Sequence, residues 1–348
     1  MKHRGVTRRG ALALAAASPL ARAQQLAGEA PGRIPPVEEL LNASEFAAMA
    51  ERKLDGLLFA EVKDSERKGF DRITFRPRLM VDSRQMDLTT ELFGDKLFMP
   101  ILIGPVAEQK RFHPEGELAM VRGAAAAKAI LVVPQRASYP IDQIAAEAKA
   151  PFWYQVYLGS PVAEARAGVE RAVSAGCKVL CVTVGADPQQ SDTAVARAGI
   201  DWSALDRLRS GGKVAVVLKG VMSPEEAHAA VAAGVQGIVV SNYAARVPQG
   251  VASPIITLPA VADAVGGKAP ILMDGGVRLG SDVLKALALG AQAVLLARPA
   301  IWGLAAYGAA GVQNVVELIQ SEFARDMAMC GKVSIKALDH SVVRIHSR

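Results

Sequence analysis

Four stretches of this chain carry residues whose types and spacing could do chemistry. Asp274-Gly275-Gly276-Val277-Arg278 follows an apolar run and leads through Leu279-Gly280-Ser281-Asp282 into a segment of helical period. Glycines let backbone N–H groups approach an anion, and the first turn of a helix favours negative charge. Arg278, and Arg298 in Ala297-Arg298-Pro299, can grip phosphate by fork geometry, so these two loops together read as a phosphate cradle. Lys219 closes the apolar run Val216-Val217-Leu218. A lysine there could neutralise an electron-rich ring or serve as a Schiff-base amine. The fourth stretch is Ser241-Asn242-Tyr243, with Arg246 three residues on, at the end of Ile238-Val239-Val240.

Such residues need a scaffold that brings strand ends together. Eight short runs rich in Val, Ile and Leu occur at 101–104, 130–133, 152–157, 178–184, 214–219, 236–241, 270–274 and 293–297. Segments of helical period, including 115–128, 161–175, 223–233 and 281–289, lie between them. Continuous apolar runs suit strands buried on both faces. The alternation predicts a (β/α)8 TIM barrel, with a doubly wound sheet as the alternative. In a barrel the site lies at the C-terminal strand ends. That end collects Pro105 to Ala107, Pro134-Gln135-Arg136, Gln155, Tyr157, Thr183, Gly185, Lys219 and the loops above. Residues 24–98 are expected to form a cap, helical around 36–60 and hairpin-like at 73–90, with the barrel and a C-terminal tail over 99–348.

The first 23 residues read as an address. Arg8-Arg9 precedes the apolar stretch 11–17 and the cleavage pattern Ala21-Arg22-Ala23. That predicts export by the twin-arginine route to the periplasm, and the stretch is too short for a stable membrane span. The segment holds five basic residues and no acid, so its removal takes the formal net charge from +6 to +1. No basic stripe with interleaved aromatics remains to suggest nucleic acid. Across 348 residues, 51% are hydrophobic and 21% charged, which fits a folded chain with a large core. Cys177 and Cys181 belong to an apolar strand pattern, Cys330 is the third cysteine, and no Cys/His cluster points to a metal.

Several motifs, taken in order, resemble one family. They are Phe75-Arg76-Pro77-Arg78, Met99-Pro100-Ile101, Gln109-Lys110, His113-Pro114-Glu115-Gly116-Glu117, Leu218-Lys219-Gly220-Val221, Ser241-Asn242, Asp274 to Arg278, Lys285 to Ala291 and Arg298-Pro299. From about residue 70 to about 335 the chain is similar to the FMN-dependent α-hydroxy-acid oxidases and dehydrogenases. The resemblance implies FMN as cofactor. It implies that Gln155 and Thr183 bond the flavin ring and that Lys219 lies near the ring's N1 side. It implies that Asp274 holds the ribityl chain and that Gly276, Arg278, Ala297 and Arg298 hold the phosphate. Ala107 and Ser241 complete the expected cofactor contacts. A homo-oligomer, a tetramer by resemblance, is also implied.

The substrate half departs from the family pattern. Tyr243 stands where the proton-abstracting histidine is usual, and Gly185 where its orienting aspartate is. Ala244 replaces a glycine, a second arginine has no match in 185–192, and a cap tyrosine has none near 57–62. Tyr157 and Arg246 match substrate-binding residues, and Arg136 replaces an aromatic. A positioned general base contributes about 10²–10⁴-fold, and a tyrosine side chain, ordinarily titrating near about 10, is a poor one at neutral pH. The resulting expectation is an FMN-dependent oxidoreductase of altered chemistry acting on a small carboxylate. Tyr243, Arg246, Tyr157 and Lys219 are its catalytic candidates, and Arg136, Tyr157 and Arg246 its substrate contacts. The alternatives are an FMN-binding protein without turnover and a non-redox flavin isomerase.

Overall fold

The computed structural model describes residues 34–64, 67–78, 81–184, 200–209, 214–243 and 253–346. The expected leader at 1–23 lies outside them, as do Gly185, Ala244, Arg246 and the 185–192 loop. The chain divides into two compact units, Met1–Glu39 and Leu40–Arg348. In the first, the described residues hold one turn of 3-10 helix, Val37–Glu39.

The eight apolar runs form a closed, wholly parallel barrel. Its strands are β4 (Ile101–Ile103), β5 (Ile130–Pro134), β6 (Phe152–Tyr157), β7 (Val179–Thr183), β8 (Ala215–Val221), β9 (Gly237–Val240), β10 (Ile271–Met273) and β11 (Ala293–Leu296). Each is followed by a helix: α3 (Gly116–Ala126), α4 (Ile141–Glu147), α5 (Val162–Ser174), α6 (Trp202–Arg209), α7 (Pro224–Ala232), α8 (Pro254–Val265), α9 (Gly280–Ala288) and α10 (Arg298–Met329). Every residue of β4, β5, β6, β7, β9, β10 and β11 is buried, as an inner sheet wrapped by helices requires. The predicted (β/α)8 fold is therefore the observed one. Stretch 185–213, read from sequence as short and polar, also carries α6.

The cap holds α1 (Ala43–Lys53) and α2 (Gly56–Val62). Both start at capping residues that the sequence supplies. The Asn42 side chain accepts from the N–H groups of Ser44 and Glu45, and that of Asp55 from those of Leu57 and Leu58.

Among the described residues the expected hairpin at 73–90 is not seen. The strand β1 (Ile73–Phe75) pairs antiparallel with β12 (Val343–Ile345) near the C-terminus, and the hairpin lies later, as β2 (Thr90–Leu92) and β3 (Asp95–Leu97). Its turn is Phe93-Gly94, both at positive φ. A phenylalanine in that conformation gives no turn signal in sequence. Tertiary packing holds it: the Phe93 ring meets Trp153 edge-on at 5.5 Å, and Trp153 Nε1 donates to Asp95 Oδ2 at 3.3 Å. Leu92 and Leu97 join Leu102, Ile130, Val132, Val179, Val217, Val239 and Leu272 in one core cluster, so the hairpin extends the barrel's apolar interior.

Candidate active site

Parallel register places the chemical residues at one end. Tyr157 pairs across β6–β7 with Thr183, and Thr183 pairs across β7–β8 with Lys219. Gln155 and Tyr157, two residues apart, share a strand face. Gln155 is buried, and its Nε2 donates to Thr183 Oγ1 at 3.0 Å. Its Oε1 accepts from the Gln135 N–H at 3.3 Å. Gln135 Oε1 in turn accepts from the Tyr157 N–H at 2.9 Å and from Ser160 Oγ at 3.2 Å. The ends of β5, β6 and β7 are thus laced by side-chain amides.

Lys219 has its side chain only 3% exposed. A bulge at Gly220 shifts the β8–β9 register beside it. Its Nζ lies 2.7 Å from Asp274 Oδ2 and donates to Ser241 Oγ at 2.9 Å. A buried ammonium needs such partners, because an isolated charge in a low dielectric costs several kcal/mol. Ser241 Oγ also accepts from the Tyr243 N–H at 3.3 Å. The Lys219 ammonium sits 5.0 Å from the centre of the Tyr243 ring, within cation–π range. The Tyr243 hydroxyl lies 3.4 Å from that of Tyr157, a long contact for two hydroxyls. Tyr243 is 37% exposed, so it lines the open mouth and is not part of the packed interior.

The second cluster is the expected phosphate corner. Gly275 and Gly276 take φ of 88° and 80°, a backbone that side-chain-bearing residues rarely adopt. Arg298 opens α10, where unbonded N–H groups favour an anion. Arg278 is buried. Its Nε donates to Asp64 Oδ1 at 2.9 Å and its Nη1 to the Val277 carbonyl at 2.8 Å, while its Nη2 bonds to no protein atom. Burial first, then the charge of Arg298, pushes its pKa down to about 10. A buried cation beside a second cation, with one donor unspent, is an arrangement that a phosphate completes. The residues present therefore fit FMN: an amide-lined wall, a buried lysine paired with a carboxylate, and an anion corner at the helix start.

Of the residues singled out from sequence, Gln155, Tyr157, Thr183, Lys219, Ser241, Tyr243 and Asp274 form one connected group. Gly276, Arg278, Ala297 and Arg298 surround the corner. Ala107 and Arg136 are half-buried on the loops after β4 and β5, which are joined by the Glu108 N–H donating to the Arg136 carbonyl at 2.8 Å. Arg246 falls outside the described residues. Sequence reasoning missed Asp64 and Arg67 as supports of the site, and placed Gln135 at the strand ends without giving it a role. The first two carry no local signal, since Asp64 meets Arg278 across 214 positions. Asp282 did carry one, as an acid at a helix start, and its Oδ2 accepts the N–H groups of Arg278 and Leu279 at 2.9 and 3.0 Å.

Comparison with known proteins agrees with this geometry. The family model for FMN-dependent dehydrogenase matches residues 60–191 and 185–345. The L-lactate oxidase of Nostoc sp. is 34% identical over 359 residues, covering 88% of this chain and 98% of that protein. The glycolate oxidase of Spinacia oleracea is 33% identical, covering 87% and 95%. A crystal structure of mandelate oxidase with (S)-2-phenylpropionate superposes with a TM-score of 0.80 at 31% identity, covering 89% of this chain and all of that one. The chain belongs to the FMN-dependent dehydrogenase family: it is a flavin oxidoreductase whose cofactor is FMN.

Proposed function

We propose that this member of the family acts on a small carboxylate with a 2-hydroxyl group, by a chemistry altered at the proton-transfer step. The observation that carries the reading is the Tyr243–Tyr157 hydroxyl pair beside the buried Lys219, at the mouth that the cofactor group lines. The substrate class is supported by the names of the relatives, since lactate, glycolate and mandelate are all small 2-hydroxy carboxylates.

FMN supplies the two-electron acceptor. The chain's own residues do the rest. Lys219, held by Asp274 and Ser241, places its ammonium at the barrel mouth, where it would stabilise negative charge on the bound cofactor. Tyr157 and Tyr243 offer two hydroxyl groups to the substrate's oxygen, and Tyr243, at the open mouth, relays the proton that leaves it by giving its own to solvent. Arg136, with Arg246, supplies positive charge for the carboxylate.

The test is anaerobic mixing of the FMN-loaded protein with lactate, glycolate and mandelate while the flavin absorbance is followed. Bleaching by at least one of them is expected, with Tyr243→Phe slowing it by about 10²–10⁴-fold, the contribution of a positioned acid or base. An unchanged rate in Tyr243→Phe would remove the tyrosine from the chemistry. Flavin that none of the acids bleaches would overturn the oxidative reading in favour of FMN binding without turnover.

A further inference from the structure

Three residues of the cap, Val62, Asp64 and Arg67, make separate polar links to the phosphate corner. The Val62 carbonyl accepts from Trp302 Nε1 at 2.9 Å, in the first turns of α10. Asp64 Oδ1 accepts from Arg278 Nε at 2.9 Å. Arg67 Nη1 donates to Asp282 Oδ2 at 2.8 Å, the same carboxylate that holds the Arg278 and Leu279 N–H groups. The Arg278 guanidinium also lies 5.1 Å from the Trp302 ring. Its plane is therefore fixed by Asp64 at Nε, by the Val277 carbonyl at Nη1 and by the indole, which leaves Nη2 as the edge that carries no protein bond.

We propose that Val62, Asp64 and Arg67 act as a clamp that senses occupancy of the phosphate corner, with Asp64 the residue that positions Arg278 toward the FMN phosphate. Two physical points carry this. A guanidinium recognises phosphate through the direction of its N–H bonds, so an arginine whose plane is held binds more tightly than one that must be ordered on binding. Coupling is also reciprocal: if Asp64 improves the grip of Arg278 on phosphate, phosphate improves the hold of Arg278 on Asp64 and so on the cap. Asp64 is half exposed and Arg278 buried, so the loose partner is the cap side. Lys63 and Lys68, next to these residues in sequence, are exposed, and with Arg67 they offer cleavage points for trypsin.

The experiment uses flavin-depleted full-length protein titrated with FMN and with riboflavin, which differs by the phosphate alone, and follows quenching of flavin fluorescence. Asp64→Ala should weaken FMN about tenfold, the size of one misdirected charge-assisted hydrogen bond, and leave riboflavin within about twofold. Asp64→Asn keeps an acceptor for Arg278 Nε and should retain most of the FMN affinity. In the wild-type protein, saturating FMN should slow trypsin cleavage at Lys63, Arg67 and Lys68, and saturating riboflavin should not. The proposal is overturned if Asp64→Ala binds FMN as the wild type does, or if it loses both flavins equally, as a merely structural residue would. Equal protection by the two flavins overturns it as well, and that arm stands even if a variant fails to fold.

Discussion

At the scale of single residues the site rests on a buried ion pair. Lys219 and Asp274 are 3% and 13% exposed and 2.7 Å apart. Removing one partner leaves the other charge buried without compensation, which typically costs about 3–5 kcal/mol. Asp274→Ala should therefore lower the denaturant midpoint of the flavin-free protein by more than any exposed substitution. A midpoint equal to that of the wild type would mean that solvent already screens the pair. The base position raises a separate question of geometry. Tyr243 is fixed through its N–H to Ser241 and its ring beside Lys219, contacts set by backbone and strand end more than by the phenol itself. Tyr243→His combined with Gly185→Asp is accordingly expected to bring bleaching by lactate, glycolate or mandelate above the wild-type rate. No gain from the double variant would mean that the pocket around the base position has been rebuilt as well.

Among the elements, α10 shows how local sequence is overridden by packing. Its 32 residues run from Arg298 to Met329 but break at Tyr307 and Gly308, where φ and ψ leave the helical region. Gly308 sits at φ 60°, and a Cβ there would fall 3.0 Å from His113 Nε2. His113 thus packs into the kink, and its Nδ1 accepts the Glu115 N–H at 3.2 Å, a bond that needs the neutral ring. Burial lowers its pKa from the ordinary 6.5; Glu115 opposes that shift, and the charges of Lys53 and Arg122 add to it. The unfolded chain then binds more protons than the folded chain just below pH 6.5, so stability falls as pH drops through that window. Denaturation midpoints at pH 5.5 and 7.5 should differ by less in His113→Gln than in the wild type. A difference of the same size in both would assign the acid sensitivity to other groups.

For the molecule as a whole, the barrel buries what the cap and helices do not expose. Cys177, Cys181 and Cys330 are all free and buried. Burial pushes the Cys177 thiol up to about 11 and that of Cys181 to about 12, and raises Cys330 as well. Since the thiolate is the reactive form, none should react with a thiol reagent at neutral pH until denaturant is added, when all three should. Rapid labelling of a native thiol would show that part of the barrel opens readily. Among the described residues no helix is long and apolar enough to cross a membrane. Export by the twin-arginine route is a proposal that fractionation of cells producing the full chain would test, with periplasmic protein lacking its first 23 residues as the expected outcome.

Sequence alone determined the barrel and which residues gather at its C-terminal end. Both rest on local rules. Eight runs of Val, Ile and Leu alternate with helical segments, and parallel register then puts the residues near the end of each run at the same end of the barrel, which brings Gln155, Thr183, Lys219 and Asp274 together. The tertiary structure decided what local rules cannot reach. The hairpin moved from 73–90 to 90–97 because Phe93 holds its turn by packing on Trp153, and β1 found its partner near the C-terminus. Arg278 bonds to Asp64 of the cap, and Arg67 to Asp282, across more than two hundred positions. Pairings at that separation depend on how the closed barrel brings distant segments into contact, and neither period nor spacing along the chain encodes them.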